Sequence, residues 1–186
     1  LAFEWFFVQN KSSLELLKKI GIVNVSITGD SRYDRVIENK KLVVPNDILA
    51  SFSKNSDVLV IGSSWPEDEK LIFAFLNKSA QKTLIAPHNI DENHIRSLLK
   101  QYPNAVRYTE TNIEEVKGKQ ILILDTIGQL ANAYSYGKLA YVGGGFSGSL
   151  HNILEPAVFG LPVIFGPKHE RFPEAQAFID YGIGKS

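Results

Sequence analysis

The stretch Leu139-Ala140-Tyr141-Val142-Gly143-Gly144-Gly145-Phe146-Ser147-Gly148-Ser149-Leu150-His151-Asn152-Ile153-Leu154-Glu155-Pro156 changes character twice. Leu139 to Val142 reads as a short strand, the glycines from Gly143 to Gly148 as a tight turn, and the residues after Asn152 as a helix. A strand, a glycine-rich turn and a helix in that order bring backbone N–H groups and a positive dipole end together, an arrangement that receives a phosphate or a sugar. A plain flexible turn uses glycines as well. The segment is not G-x-G-x-x-G in a complete dinucleotide-binding unit, and it lacks the Lys-Ser/Thr ending of a P-loop.

Outward from this stretch the same alternation repeats. Asn24 to Thr28, Asp57 to Ile61, Lys82 to Ala86, Ala105 to Tyr108, Gln120 to Leu124 and Pro162 to Phe165 are strand-length and mostly apolar on both faces, as strands buried in a parallel sheet are. Ser13 to Ile20, Glu67 to Asn77, Glu92 to Gln101, Ile127 to Tyr136, Ile153 to Phe159 and Pro173 to Tyr181 carry helical periodicity. In the first helix Ser12 and Glu15 have capping-box spacing, and Gly21 ends the run. This alternation predicts a doubly wound α/β fold, a parallel sheet with helices on both faces. Ligands of such sheets bind at the carboxyl ends of the strands, so function is sought in the loops that follow them.

Composition narrows the chemistry. The 186 residues hold 20 basic and 20 acidic side chains, so no global field points to nucleic acid or an anionic surface. The absence of cysteine removes thiolate metal sites and cysteine nucleophiles, and four scattered histidines do not make a zinc site. No apolar run is long enough to span a bilayer. A chain that starts at Leu1 and has no methionine is expected to be a processed chain or a fragment.

The loops carry the candidate site. Asp30, Ser31 and Arg32 follow the first strand, with Asp34 and Arg35 beyond; they read as a surface ion-pair cluster or as an arginine fork for an anion. Ser63 and Ser64 precede Trp65-Pro66-Glu67-Asp68-Glu69, a helix start whose carboxylates would repel a phosphate, which leaves the serines to meet one. Pro87 and His88 follow the third strand. Asp125-Thr126-Ile127-Gly128-Gln129-Leu130 has capping-box spacing between Thr126 and Gln129, or steers a base or sugar hydroxyl through Asp125. Asn152 and Glu155 are likewise a capping pair, or a ribose clamp in which the carboxylate accepts two hydroxyls. Gly144, Gly145 and His151 complete the set, and Lys168, His169 and Arg171 offer a second anion contact.

In their order along the chain these loops resemble the C-terminal, donor-binding domain of bacterial 3-deoxy-D-manno-octulosonic acid (Kdo) transferases. The likeness rests on Phe6-Phe7-Val8-Gln9, Thr28 to Val36, Gly62 to Glu69, Asp125 to Leu130 and His151-Asn152-Ile153-Leu154-Glu155-Pro156. It implies a Rossmann-like C-terminal half of a GT-B glycosyltransferase, with residues 1–20 as linker and edge of an N-terminal domain and 21–186 as the domain for CMP-Kdo. The full enzyme is implied to be an inverting transferase that moves Kdo to the lipid A precursor in lipopolysaccharide synthesis, at the cytoplasmic face of the inner membrane, with no cofactor or metal. Asp125, Thr126, Gly128 and Leu130 would surround the cytidine, Asn152 and Glu155 the ribose or phosphate, and Ser63 and Ser64 the phosphate. The resemblance puts the catalytic base in the N-terminal domain, so this chain is expected to bind CMP and not to turn it over. Pro87-His88-Asn89 stands where the family has Pro-Arg-His, Leu150 where glycine precedes His-Asn, and Trp65 where histidine is usual. A UDP-sugar transferase or 2-epimerase domain, and a non-catalytic sugar-binding module, remain as rival readings.

Overall fold

A computed structural model describes residues 3–186, which form two compact units divided between Asn39 and Lys40. The smaller unit holds β1 (Phe6–Val8), α1 (Lys11–Lys19), β2 (Val25–Ile27) and most of α2 (Ser31–Lys41). The expected boundary at residue 20 lies inside it. β1 and β2 pair in parallel as a sheet of their own, so the segment from Asn24 to Thr28, expected in the main sheet, is not part of it. Helix α1 starts earlier than its sequence pattern suggests, because Asn10 rather than Ser12 is the cap: its Oδ1 accepts from the Ser13 amide at 2.9 Å and from the Ser12 hydroxyl at 2.7 Å. Gly21, in the left-handed region at φ +84°, ends the helix as expected.

The larger unit runs through α3 (Asp47–Ser53), β3 (Val58–Ser64), α4 (Pro66–Leu76), β4 (Lys82–Pro87), α5 (Glu92–Gln101), β5 (Ala105–Arg107), α6 (Ile113–Lys117), β6 (Ile121–Ile123), α7 (Leu130–Ser135), β7 (Leu139–Val142), α8 (Leu154–Ala157), β8 (Val163–Phe165), α9 (Pro173–Asp180) and β9 (Gly184–Lys185). Its seven strands are parallel, in the order β5-β6-β4-β3-β7-β8-β9. Alternate residues of β3 serve opposite faces. Val58 and Val60 join Leu49 and Phe52 of α3, Val116 of α6 and Tyr134 of α7 on one side. Leu59 and Ile61 join Ile72 and Leu76 of α4 and Ile95 and Leu98 of α5 on the other. The sheet is thus covered on both faces, which is why its strands read as continuous apolar runs.

Strand order also locates the crevice. From β3 the chain moves to β4 on one side, and after β6 it returns to lay β7 against the opposite edge of β3. The carboxyl ends of β3 and β7 therefore flank the topological switch point, where doubly wound sheets bind ligands. A bulge between Gly62 and Ser64 turns the end of β3, with Ser63 in the left-handed region at φ +53°. On the far side of β7 the turns after β7 and β8 touch backbone to backbone. A methyl group on Gly145 would lie 2.5 Å from the Gly166 nitrogen and 2.7 Å from its α-carbon. Backbone cannot step aside as a side chain can, so Gly145→Ala is expected to lower stability by about 1 to 3 kcal/mol, read as an earlier midpoint in chemical denaturation.

Candidate functional site

Helix α4 begins directly at the end of β3, with Pro66 in its first turn, and two of its three first-turn acids, Asp68 and Glu69, are buried while Glu67 is exposed. Asp68 is 1% exposed, and its carboxylate accepts from the Trp65 amide (2.9 Å), the Gly144 amide (3.0 Å) and the Tyr141 hydroxyl. One buried charge thus joins the β3 turn, β7 and the glycine-rich turn. Burial, and then the bond to Asp68, pushes the Tyr141 hydroxyl far above the usual tyrosine range, so it stays a donor. Glu69, also buried, accepts from the Ser64 hydroxyl at 3.0 Å and lies 3.0 Å from Nε2 of His94 on α5. The sequence expectation that both serines face an anion is corrected here. Ser64 is 2% exposed and spends its hydroxyl on Glu69, whereas Ser63 stays at the crevice surface. The expected repulsion from α4 is reduced for the same reason, since Asp68 and Glu69 are already enclosed by donors.

Three rings form one wall of the crevice. Trp65 stacks on His88 with centroids 4.0 Å apart, and His151 lies 4.8 Å from His88. Trp65 Nε1 donates to His151 Nε2 at 3.0 Å, so the neutral His151 ring carries its proton on Nδ1. Burial, reinforced by His88 and opposed by Asp68, holds His151 below the usual histidine range. At neutral pH His151 is therefore uncharged. Pro87 is buried at the end of β4, and the His88 amide donates to the Ser64 carbonyl at 2.9 Å, which fixes the base of this wall.

The glycine-rich turn is held by its own backbone. Gly143 N donates to Gly62 O (2.9 Å), His151 N to Gly143 O (3.1 Å), and Ser149 N to Gly144 O (3.0 Å). Gly144 sits at φ +90°, and a Cβ there would run into the Ser149 carbonyl. Beyond the turn, α8 starts at Leu154. Asn152 is not its cap but an Asx turn: Oδ1 accepts from the Leu154 amide at 3.1 Å, while Nδ2 donates to Glu155 Oε1 at 3.3 Å. The carboxylate so oriented acts on Tyr134, whose hydroxyl is pushed up first by burial and then by the Glu155 charge. That hydroxyl lies against Gly62, where any side chain would collide with it.

Asp125 faces away from this arrangement. Its carboxylate accepts from Arg107 Nε (2.7 Å), the Thr109 hydroxyl (2.5 Å) and the Thr109 amide (3.0 Å). Burial alone would raise its pKa, but the Thr109 and Arg107 hydrogen bonds outweigh that and hold it below its ordinary value. Asp125 therefore joins the ends of β5 and β6 and props the following turn, rather than offering its carboxylate to a ligand. Thr126 and Gly128 stand in that turn, with Gly128 at φ +85°, and α7 starts at Leu130, not at Ile127. The pairing of Thr126 with Gln129 is replaced by a bond from Asn132 Nδ2 to Gln129 Oε1 at 2.9 Å. Asp30, Ser31 and Arg32 belong to the smaller unit. There Asp30 Oδ1 caps α2 by accepting from the Arg32 amide at 2.9 Å, and its carboxylate pairs with the Arg32 guanidinium at 2.6 Å. The residues read as a loop from Ser31 to Arg35 are the first turns of that helix.

A doubly wound parallel sheet, a crevice at its switch point and a glycine-rich turn running into a helix-start glutamate define a Rossmann-like class of domain. The chain is homologous to proteins named 3-deoxy-D-manno-octulosonic acid transferase. It is 29% identical over 176 residues to that of Rickettsia bellii, covering 89% of this chain and 41% of that protein. It is 25% identical over 180 residues to that of Aquifex aeolicus, covering 96% of this chain and 48% of that protein. With that of Chlamydophila psittaci it shares 30% identity over 137 residues, 71% of this chain and 32% of that one. The chain thus spans less than half the length of these relatives. Among solved structures, the C-terminal CMP-Kdo binding domain of WaaA from Acinetobacter baumannii has the same fold, with a TM-score of 0.60 and 21% identity over 80% of this chain and 79% of that one. No family model matches the chain.

Asp125 supplies a pH test of its structural role. Because its folded pKa is depressed, its contribution to stability is present above the ordinary value of 3.8 and is lost as pH falls through the lower, folded value. Asp125→Asn is expected to cost about 2 kcal/mol at neutral pH and to flatten the loss of stability below pH 3.8, measured by urea denaturation across the acid range.

Proposed function

We propose that this chain is the donor-binding part of an inverting glycosyltransferase of GT-B architecture, which transfers Kdo from CMP-Kdo to a lipid A precursor in lipopolysaccharide synthesis at the cytoplasmic face of the bacterial inner membrane. The observation that carries this reading is the Glu155 carboxylate, oriented by Asn152 beside the glycine-rich turn at the switch-point crevice. A carboxylate so held accepts the two hydroxyls of a ribose. The transferase names of the relatives, and the CMP-Kdo named for the structural neighbour, support CMP as the nucleotide and Kdo as the sugar.

In this reading the cytidine lies over the turn from Thr126 to Leu130, shaped by Asp125 from below. The ribose meets Glu155, and the phosphate meets Ser63 and the turn that holds Gly144 and Gly145. No cofactor or metal takes part. A sugar acceptor must lose a proton to a base within hydrogen-bond reach. Asp68, Glu69 and Asp125 each spend their carboxylates on internal donors. The base and the acceptor surface are assigned to sequence outside this chain, which binds the donor without turning it over. No helix among the described residues is long and apolar enough to cross a membrane.

Calorimetric titration of this chain with CMP, UMP and UDP tests the reading. CMP is expected to bind most tightly, with the same affinity in excess EDTA; a preference for a uridine nucleotide would transfer the assignment to a UDP-sugar enzyme. Glu155→Ala is expected to weaken CMP about tenfold or more while the fold is kept, since a charge-assisted bond to the ribose is lost. Unchanged affinity would reduce Glu155 to a partner of Asn152.

A further inference from the structure

The nucleotide reading leaves a charged pocket beside the glycine-rich turn unused. Ser147, Gly148, Lys168, Glu170 and Arg171 line a cavity of about 250 Å³ between the turns that follow β7 and β8. The two turns are joined there by the Gly145–Gly166 backbone contact and by the Lys168 amide, which donates to the Gly145 carbonyl at 2.7 Å. The cavity is thus a continuation of the glycine-rich turn past the switch point. Its lining is uneven in chemistry: two exposed cations, one exposed carboxylate and a serine whose hydroxyl already donates to the Gly144 carbonyl at 3.0 Å, leaving its oxygen as an acceptor.

We infer that this pocket is the subsite for the transferred sugar, with Lys168 and Arg171 receiving the carboxylate of a sugar acid and Glu170 and Ser147 accepting its hydroxyls. The inference rests on the nucleotide reading above and adds to it the residues that select the sugar. A donor such as CMP-Kdo carries two anionic groups, its phosphate and its sugar carboxylate. The first is met by neutral groups in the crevice, because His151 is uncharged and the neighbouring carboxylates are taken up internally. The second needs compensation. The arginine fork matches a carboxylate with two parallel N–H bonds, and the lysine adds a point charge. A plain phosphate site would not need the carboxylate of Glu170, whereas a polyhydroxylated acid uses both signs.

The test is calorimetry of this chain with two probes, CMP and CMP-Kdo, for the wild type, Lys168→Ala, Arg171→Ala and Arg171→Gln. The three changes lie at exposed positions, and a thermal melt confirms that each variant folds. The wild type is expected to bind CMP-Kdo more tightly than CMP. Each variant should lose about tenfold or more of its CMP-Kdo affinity and keep its CMP affinity within about twofold. Equal loss for both probes would put the nucleotide phosphate in the pocket and overturn the sugar assignment, and so would variants that bind both probes like the wild type. If the wild type bound neither probe, the nucleotide reading would fall and this inference with it. Binding of CMP with no effect of the variants would remove only the inference.

Discussion

A single buried carboxylate holds the crevice together. Asp68 takes hydrogen bonds from the turn after β3, from β7 and from the glycine-rich turn, so three segments distant in sequence share one acceptor. A charge placed at 1% exposure is costly unless it is enclosed by donors, and here each donor is a group that the fold must position correctly. The requirement runs both ways: the acid needs the turn, and the turn needs the acid. Glu69 repeats the device one residue on by joining the end of β3 to α5 through Ser64 and His94. The two acids read from the sequence as helix-start charges that would repel a phosphate are the fasteners beneath α4.

Around this joint the glycines do different kinds of work. Gly144 supplies a backbone conformation that other residues resist. Gly62 and Gly145 supply closeness, the first to the Tyr134 hydroxyl and the second to Gly166. The result is a crevice whose walls are set by backbone and buried polar groups. Its floor carries little free charge, which agrees with a chain whose basic and acidic residues balance.

The alternation of strands and helices was legible because a parallel sheet covered on both faces leaves continuous apolar runs, and α5 was placed to the residue. Helices α2, α3 and α6 were not. α2 buries only Val36, and α3 and α6 are too short to display a period. The strand from Asn24 to Thr28 was found but given to the wrong sheet, since periodicity reports burial and not partners. The same limit governs the site. Spacing read Asn152 and Glu155 as a pair, and the two are hydrogen-bonded, but it also grouped Asp30 to Arg35 with the crevice loops, and these belong to the smaller unit. It gave no sign that Asp125 turns toward Arg107 and Thr109, or Ser64 toward Glu69, because a carboxylate or hydroxyl at a strand end looks the same whichever way it points.

The placement of the fasteners has a consequence for how such a domain changes over time. Asp68, Glu69 and the glycine contacts lie under the crevice, while the side chains of Trp65, His88, Lys168 and Arg171 stand on its rim and carry none of the joint between β3 and β7, to which Trp65 gives only its backbone amide. Structure and selectivity are thereby written in different layers. Rim residues can be exchanged without reopening the foundation, so a domain of this build is free to acquire a new ligand preference by single substitutions while its fold stays put.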